Sequence, residues 1–267
     1  MGADMKQLRL RIRSVDSTRH LTRAMGLVAA SRIRRASEVM NQSRRYVQAL
    51  EDVMDALAAC PECRKSTWLR PAGDRTRLIV IAGDRGMAGG YNANIFRMVR
   101  EYPEADLIPI GKRACDRFGS DTPVWAEKFP LEEAQRMAKT LCQDFAAGAY
   151  DRLGIVCTRY VSVLTQEARL LWVLPLEPRI REREPDILFE PDAESVLAGA
   201  VETWVAGMIA AAVRESYACE NAARRAACDS AGRNADQMID KLTIAYNRAR
   251  QSAITQEITE IVAGAGR

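Results

Sequence analysis

The sequence predicts an antiparallel coiled coil, made from an N-terminal and a C-terminal helix, with a small α/β domain inserted between them. Three observations support this fold class. Residues 3–57 carry a heptad register, no helix terminator lies between Pro191 and Gly264, and residues 75–175 alternate between short β-rich runs and helical runs. The predicted parts are therefore residues 1–59, the N-terminal coiled-coil helix, residues 75–175, the α/β domain, and residues 190–267, the C-terminal coiled-coil helix.

The N-terminal helix is predicted from apolar side chains spaced alternately three and four residues apart. Most of the sixteen seam positions are apolar, and the exceptions cluster in a narrow middle at Arg19, Thr22 and Gly26. An apolar seam of this length is typical of a coiled coil of roughly 80 Å. The seam positions are Met5, Leu8, Ile12, Val15, Arg19, Thr22, Gly26, Ala29, Ile33, Ala36, Met40, Ser43, Val47, Leu50, Met54 and Leu57.

The C-terminal helix is predicted to begin near Pro191, a residue that suits a first helical turn, and to continue past Val262. Helices of this length are coiled-coil strands, membrane spans or repeats. The longest weakly polar stretch, residues 201–213, falls short of the ~20 apolar residues that a membrane span requires. We therefore expect a partner helix, and the N-terminal helix is the candidate.

The two helices are predicted to pair antiparallel, because both connect to the same inserted domain. The C-terminal helix is the longer of the two, so its end should project beyond its partner by ~25 Å at 1.5 Å per residue. Apolar side chains share one face of this projecting end, which indicates that another protein covers them. These residues are Ile254, Ile258, Ile261 and Val262.

The inserted domain is predicted to be Rossmann-like, with a largely parallel sheet, because β-rich and helical runs alternate. The predicted strands are residues 77–82, 106–111, 152–158 and 169–175, and the predicted helices are residues 92–102, 112–118 and 131–149. A segment containing four prolines, Pro175 to Pro191, is predicted to be a linker to the C-terminal helix.

A glycine-rich turn, GDRGMAGG, follows the first predicted strand and opens a helix. Such a turn can bind phosphate through backbone amides. Its glycines at 83, 86, 89 and 90 match neither of the common phosphate-binding spacings, so a tight turn against a neighbouring backbone is the simpler interpretation.

Cysteine and histidine usage argues against metal, disulfide and acid–base chemistry. Seven cysteines, an odd number, suit a reducing compartment, and Cys60 and Cys63 are expected to be incidental thiols of a surface loop, with a redox or metal role as the alternative. The single histidine, His20, leaves no Ser–His–Asp or metal constellation. We therefore expect no cofactor, no metal and no catalytic residue, and the heptads that begin by Met5 leave no room for a targeting peptide.

Basic residues dominate the N-terminal helix. Eleven Lys or Arg lie between Lys6 and Arg45, against Asp16 and Glu38. Such a helix requires an acidic neighbour. A coiled coil that binds nucleic acid is an alternative explanation, although the helix lacks the aromatic platforms that such proteins use.

Three blocks of residues together resemble one known family, the γ subunit of F-type ATP synthases. The first block runs from Thr18 to Ala36, the second joins Asp84-Arg-Gly to Gly89-Gly90 and Asn92, and the third runs from Tyr246 to Ala265. Arg225, Cys228 and Gly232 depart from the family pattern and predict softer packing near residue 228.

The resemblance implies a rotor subunit in the central stalk. It implies α and β subunits around the coiled coil, the ε subunit and the ring of c subunits beside the α/β domain, and a peripheral position on the cytoplasmic face of the bacterial plasma membrane. The subunit itself would be non-catalytic, and either protons or sodium ions could drive the complex.

The resemblance also implies contact residues. An apolar bearing of other subunits would hold Ile254, Ile258, Ile261 and Val262. Arg250, Gln251, Thr255 and Glu257 would be polar contacts to the β subunit near the tip, and Met25, Arg32, Arg34 and Arg35 would face acidic β-subunit loops.

Overall fold

The computed structural model describes residues 2–70, 73–120, 124–177 and 187–265. Five α-helices and four strands lie in these ranges, together with two short 3₁₀ turns at Pro61–Cys63 and Thr67–Leu69. In chain order the elements are α1 (Gly2–Ala59), β1 (Thr76–Ile81), α2 (Tyr91–Val99), β2 (Asp106–Ile110), α3 (Lys112–Phe118), α4 (Leu131–Ala146), β3 (Arg152–Tyr160), β4 (Gln166–Leu174) and α5 (Ala193–Ala265).

The chain divides into two compact units. The helical unit comprises Met1–Ala29 and Arg224–Arg267, and the sheet unit comprises Ala30–Ala223. Both α1 and α5 therefore contribute to each unit.

In the helical unit, α1 and α5 run antiparallel. Arg9 of α1 contacts Tyr246 of α5, and Arg19 contacts Asp236. Residue numbers therefore rise along α1 in the direction in which they fall along α5. Every predicted seam residue of α1 is buried or half-buried, in the helical unit and in the sheet unit alike. The predicted antiparallel coiled coil is confirmed.

The narrow middle of the seam is matched by small residues on α5. A Cβ added to Gly26 would lie 3.6 Å from the Cys228 Cβ, and one added to Gly232 would lie 4.0 Å from the Thr22 hydroxyl. Cys228 is buried, with 4% of its surface exposed. A small residue on each helix thus faces a small residue on the other, and the softer packing expected near residue 228 stays a prediction.

The sheet unit has a four-stranded sheet in the order β2-β1-β3-β4. β1 pairs in parallel with β2 and with β3, whereas the edge strand β4 pairs antiparallel with β3. Alternate side chains of β1 point to opposite faces: Ile79 and Ile81 pack in the cluster that includes α4 and α5, and Leu78 and Val80 pack against α2. The predicted α/β domain is confirmed, with a mixed sheet.

The start of α5 lies two residues later than Pro191. The Asp192 carboxylate accepts the backbone N–H of Ser195 at 2.9 Å, so Asp192 is the N-cap and Ala193 is the first helical residue. Residues 178–186, the middle of the predicted linker, lie outside the described residues.

One stretch of α5 is long and apolar enough to cross a membrane on length and composition alone. This extends the apolar stretch beyond the thirteen positions expected from the sequence. However, 61% of it is buried within the structure. It includes Val201, Val205 and Ile209, which pack in the core of the sheet unit, as the core helix of a soluble domain does.

The expectation that Cys60 and Cys63 lie in a surface loop was wrong. Each is 1% exposed, and both pack in the main apolar cluster beside Met54 and Leu57. Burial raises the pKa of the Cys63 thiol, so this side chain stays protonated. All seven cysteines are buried, and none of them forms a disulfide in the described structure.

Candidate functional site

The projecting end of α5 is the first candidate site. Residues that are either small or apolar recur at heptad spacing along α5 and are buried or half-buried in the helical unit. This α5 seam consists of Cys228, Gly232, Ala235, Ile239, Leu242, Tyr246, Ala249 and Ala253. The next two heptad positions are Gln256 and Glu260, which hydrogen-bond each other at 2.9 Å. The seam therefore ends at Ala253.

Beyond Ala253 the helix has no partner among the described residues. Every residue from 254 to 264 is exposed, while α5 continues to Ala265. Twelve further residues extend a helix by about 18 Å, somewhat less than the sequence predicts. We call the segment Ile254–Ala265 the tip.

The tip carries the predicted apolar stripe on a new face of the helix. Ile254 follows Ala253 directly, and one residue turns a helix by about 100°. The stripe of Ile254, Ile258, Ile261 and Val262 is therefore turned away from the α5 seam by about that angle. These side chains are 47%, 56%, 69% and 67% exposed, respectively. The tip does not fold back on the described residues of its own chain.

The predicted polar contacts border this stripe on both sides. At about 100° per residue, Arg250 and Glu257 share one margin of the stripe, and Gln251 and Thr255 share the other. All four are exposed. The Thr255 hydroxyl donates to the Gln251 carbonyl at 3.0 Å, which holds that side chain against its own helix. From Arg250 onward, α5 thus presents a row of apolar side chains between two polar rows.

The predicted basic contacts on α1 differ in their surroundings. Met25, in the helical unit, is half-buried. In the sheet unit, Arg34 and Arg35 are exposed, whereas Arg32 donates to Glu127 at 3.0 Å. The sequence interpretation missed this internal partner, because Glu127 lies 95 residues away from Arg32.

The acidic neighbours of α1 are partly supplied by this chain. Within the helical unit, Arg19 and Arg23 contact Asp236 at 3.1 and 3.2 Å. The Arg19 hydrogen bond lowers the pKa of the Asp236 carboxyl. Within the sheet unit, Arg44 contacts Glu215 at 2.5 Å. Carboxylates of the same chain therefore supply part of the acidic surroundings that the basic helix α1 requires. Arg34 and Arg35 remain exposed to solvent.

The glycine-rich turn is closed by side chains of the same unit. Asp84, which is 3% exposed, accepts backbone N–H groups from Lys112, Ala126 and Glu127 at 2.8–3.1 Å. The Asn92 side chain accepts the Gly83 N–H at 2.9 Å.

The buried Glu220 of α5 accepts the N–H groups of Asp84 and Arg85 at 3.4 and 3.1 Å. A Cβ on Gly83 would lie 2.7 Å from the Glu220 carboxyl carbon. Glycine at this position therefore permits the close approach of α5, as the simpler interpretation of the turn expects.

This arrangement gives no support to a phosphate-binding turn. The amides of Gly83, Asp84 and Arg85 already have acceptors within the unit. The carboxylates of Asp84 and Glu220 would also repel an anion placed there. Among the described residues, no group of three or more His, Cys, Asp or Glu side chains is arranged to hold a metal ion.

Comparison with known proteins decides the family. A family profile described as ATP synthase matches residues 4–266. The chain is 37% identical over 276 residues to the ATP synthase gamma chain of Ruminococcus albus, and the alignment covers 97% of this chain and 96% of that relative. The chain belongs to the ATP synthase gamma chain family.

Other gamma chains give the same result. That of Desulforamulus reducens is 36% identical over 98% of both chains, and that of Xanthomonas campestris is 38% identical over 97% of this chain and 98% of the relative. The family resemblance of the three sequence blocks is therefore confirmed. The comparisons give no support to the nucleic-acid-binding alternative.

Solved structures share the fold. A rotor chain of the Euglena gracilis mitochondrial ATP synthase superimposes with a TM-score of 0.65 at 18% identity, covering 95% of this chain and 100% of that one. A chain from the OSCP/F1/c-ring structure of the same enzyme gives 0.69 at 20% identity, covering 98% and 94%. At these identities the likeness shows the fold alone.

Proposed function

We propose that this chain is the central-stalk rotor of an F1Fo ATP synthase. It is a non-catalytic subunit that couples ion-driven rotation of the c-ring to the conformational cycle of the catalytic β subunits. Family membership supports this assignment. The structural observation that carries it is the tip, an exposed apolar stripe turned away from the seam that binds α1.

The tip requires a cover from other subunits. Fully burying an Ile or Val side chain is worth about 1.5–3 kcal/mol. Four such residues, each roughly half to two-thirds exposed, make on the order of 5 kcal/mol available to a surrounding sleeve. An apolar bearing formed by the α and β subunits supplies such a sleeve, and it leaves the helix free to turn because apolar contacts are non-directional.

The two polar margins of the tip give the bearing its directional contacts. Arg250 and Glu257 on one margin, and Gln251 and Thr255 on the other, are exposed and within reach of a subunit that approaches either side. A β subunit that binds one margin meets a different surface when the other margin turns towards it. Coupling is then a difference in contact free energy between rotational states.

The exposed cations of α1 form the second contact. Arg34 and Arg35 face solvent in the sheet unit and would attract acidic loops of the β subunits. Arg32 would contribute less than these two, because it already pairs with Glu127. Met25 would contribute only the part of its surface that α5 leaves uncovered.

The remaining partners are the ε subunit and the c-ring. The relatives are bacterial gamma chains, and a related fold occurs in a central stalk and c-ring assembly of Tetrahymena thermophila. We therefore place the chain peripherally on the cytoplasmic face of a bacterial plasma membrane, as a component of the membrane-associated complex.

Co-expression with α and β subunits tests this proposal. The expected result is a stable complex whose ATP hydrolysis depends on this chain. Arg250→Ala and Gln251→Ala should each weaken coupling about fivefold, since a single hydrogen bond contributes about 1 kcal/mol net. Lys241→Ala, which removes an exposed cation from α5 before the tip, is the matched control. Failure to co-purify under native conditions would contradict the proposal.

A further inference from the structure

One carboxylate of α5 joins three other elements of the sheet unit. Glu215 is 7% exposed and follows Val213, one of the last residues of α5 in the main apolar cluster. A buried carboxylate is costly unless several donors surround it. The mechanism described above does not use this residue.

The donors around Glu215 come from α1, β3 and β4. Arg44 of α1 donates to Oε1 at 2.5 Å, and the backbone N–H of Tyr160 at the end of β3 donates to the same oxygen at 2.9 Å. Arg169 of β4 donates to Oε2 at 3.4 Å. Arg44 also donates to the Tyr160 carbonyl at 3.0 Å, which closes the cluster.

The next residue continues the connection to the sheet. The Ser216 hydroxyl accepts the backbone N–H of Thr158 at 3.4 Å, and the Ser216 carbonyl accepts the Tyr91 hydroxyl at 2.9 Å. Adjacent residues of one helical turn thus contact α1, α2, β3 and β4.

These contacts differ in kind from the apolar packing that precedes them on α5. Apolar contact is non-directional, so it specifies the rotational setting of a helix less sharply than polar contacts do. Charge-assisted hydrogen bonds fix both distance and angle. The contacts of Glu215 therefore fix the rotational setting of α5 about its own axis, relative to α1 and to the β3–β4 hairpin.

We infer that Glu215 is a positioning residue that locks α5 and α1 to the sheet, so that a turning force applied to the sheet unit reaches both helices without slip. This inference rests on the proposed rotor function. Without the lock, ATP hydrolysis would continue while part of each rotation is lost between the sheet and the helices. The signature is a loss of coupling without loss of hydrolysis.

The variant Glu215→Gln suits the test. The amide keeps an acceptor for the Tyr160 N–H but loses the charge that attracts both arginines. Arg44 and Arg169 keep 44% and 37% of their side-chain surface exposed, so water can solvate them in the variant. The sheet unit should therefore still fold. Glu104→Gln, the same change at an exposed site of the sheet unit, is the control.

The measurement is the ratio of ATP-driven ion pumping to ATP hydrolysis in the complete complex reconstituted into vesicles. For Glu215→Gln the ratio should fall at least about fivefold, with hydrolysis close to that of the wild type and of Glu104→Gln. An unchanged ratio overturns the inference, including the case in which only thermal stability falls. If Glu215→Gln does not assemble, Arg169→Gln is tested in its place, because it removes the contact that β4 makes with Glu215. The same fall in the ratio is expected, and an unchanged ratio again overturns the inference.

The wild-type complex separates the two hypotheses. If the wild-type ratio itself does not depend on this chain, the proposed rotor function fails. If the wild type is coupled and both cluster variants match it, only the role of Glu215 fails. A double variant, Arg169→Gln with Glu215→Gln, should be no worse than Glu215→Gln alone, because that single change already removes the charge pairing with Arg169.

Discussion

The replacement Asp84→Ala should strongly destabilise the sheet unit. Asp84 is 3% exposed, and its two carboxylate oxygens accept the N–H groups of Lys112, Ala126 and Glu127. Alanine leaves these three donors without acceptors, at about 1–3 kcal/mol each, although water can reach some of them. We expect a loss of about 3–6 kcal/mol, against a typical total of 5–15 kcal/mol for a domain.

Tryptophan fluorescence in a urea titration measures this loss selectively. All four tryptophans, at positions 68, 125, 172 and 204, belong to the sheet unit. With a slope of about 1–3 kcal/mol per molar urea, the midpoint should fall by roughly 2 M. Asp84→Asn retains one acceptor oxygen and should cost about half as much. Glu104→Ala should stay within ~0.5 kcal/mol of wild type. A midpoint for Asp84→Ala equal to that of Glu104→Ala would refute the reasoning.

Three further predictions follow from local geometry. Gly111 has φ +92° and its added Cβ would lie 2.0 Å from the Ala82 carbonyl oxygen, so Gly111→Ala should cost more than ~2 kcal/mol in the same titration. Gly119→Ala, with φ +78° and open space, should cost only ~1 kcal/mol, and equal losses would contradict the clash. The Arg19 hydrogen bond lowers the pKa of Asp236 below its usual 3.8, so this pairing stabilises the helical unit above that pH and is lost as the pH falls below it. The thermal midpoint of Asp236→Asn should therefore lie further below that of wild type at pH 7 than at pH 3, and a constant gap would count against the pairing. Finally, the buried cysteines should not react with a maleimide in the native chain at pH 7.5, and all seven should react in denaturant.

The sequence predicts α1 and its seam well, because a heptad pattern is local. Each seam position depends on residues three and four away, and all sixteen are buried or half-buried in the structure. The α5 seam is also present in the sequence, but it is harder to recognise than the α1 seam. Its Gly232, Ala235, Ala249 and Ala253 are small and do not stand out as apolar. Their spacing from Cys228, Ile239, Leu242 and Tyr246 is the signal that could have found it.

Strand positions were predictable, but the direction of the edge strand was not. The run Gln166–Leu174 ends in five consecutive apolar residues, a pattern typical of a strand in a parallel sheet, yet it pairs antiparallel. Its antiparallel pairing with β3 follows from the short connection between them, in which the Ser162 N–H donates to the Thr165 carbonyl at 3.0 Å. A short loop leaves room only for a hairpin.

Burial of polar and thiol side chains depends on contacts distant in sequence. Glu215 and Glu220 are charged residues of a kind that usually faces solvent on a helix, yet their partners lie 46 to 171 residues away. Cys60 and Cys63 lie close to charged residues, which favours an exposed loop. In the structure they pack in the same apolar cluster as Trp68 and residues 197–213 of α5. No local pattern contains this information.

The central claim is that the tip is covered only by other subunits. All native cysteines are buried, so Ile258→Cys would introduce the one reactive thiol of the native chain. In the isolated chain this thiol should react with a maleimide as fast as a free cysteine. In the assembled complex with α and β subunits the rate should fall at least about tenfold, because the apolar stripe is then enclosed. Equal rates in the two samples would contradict the account.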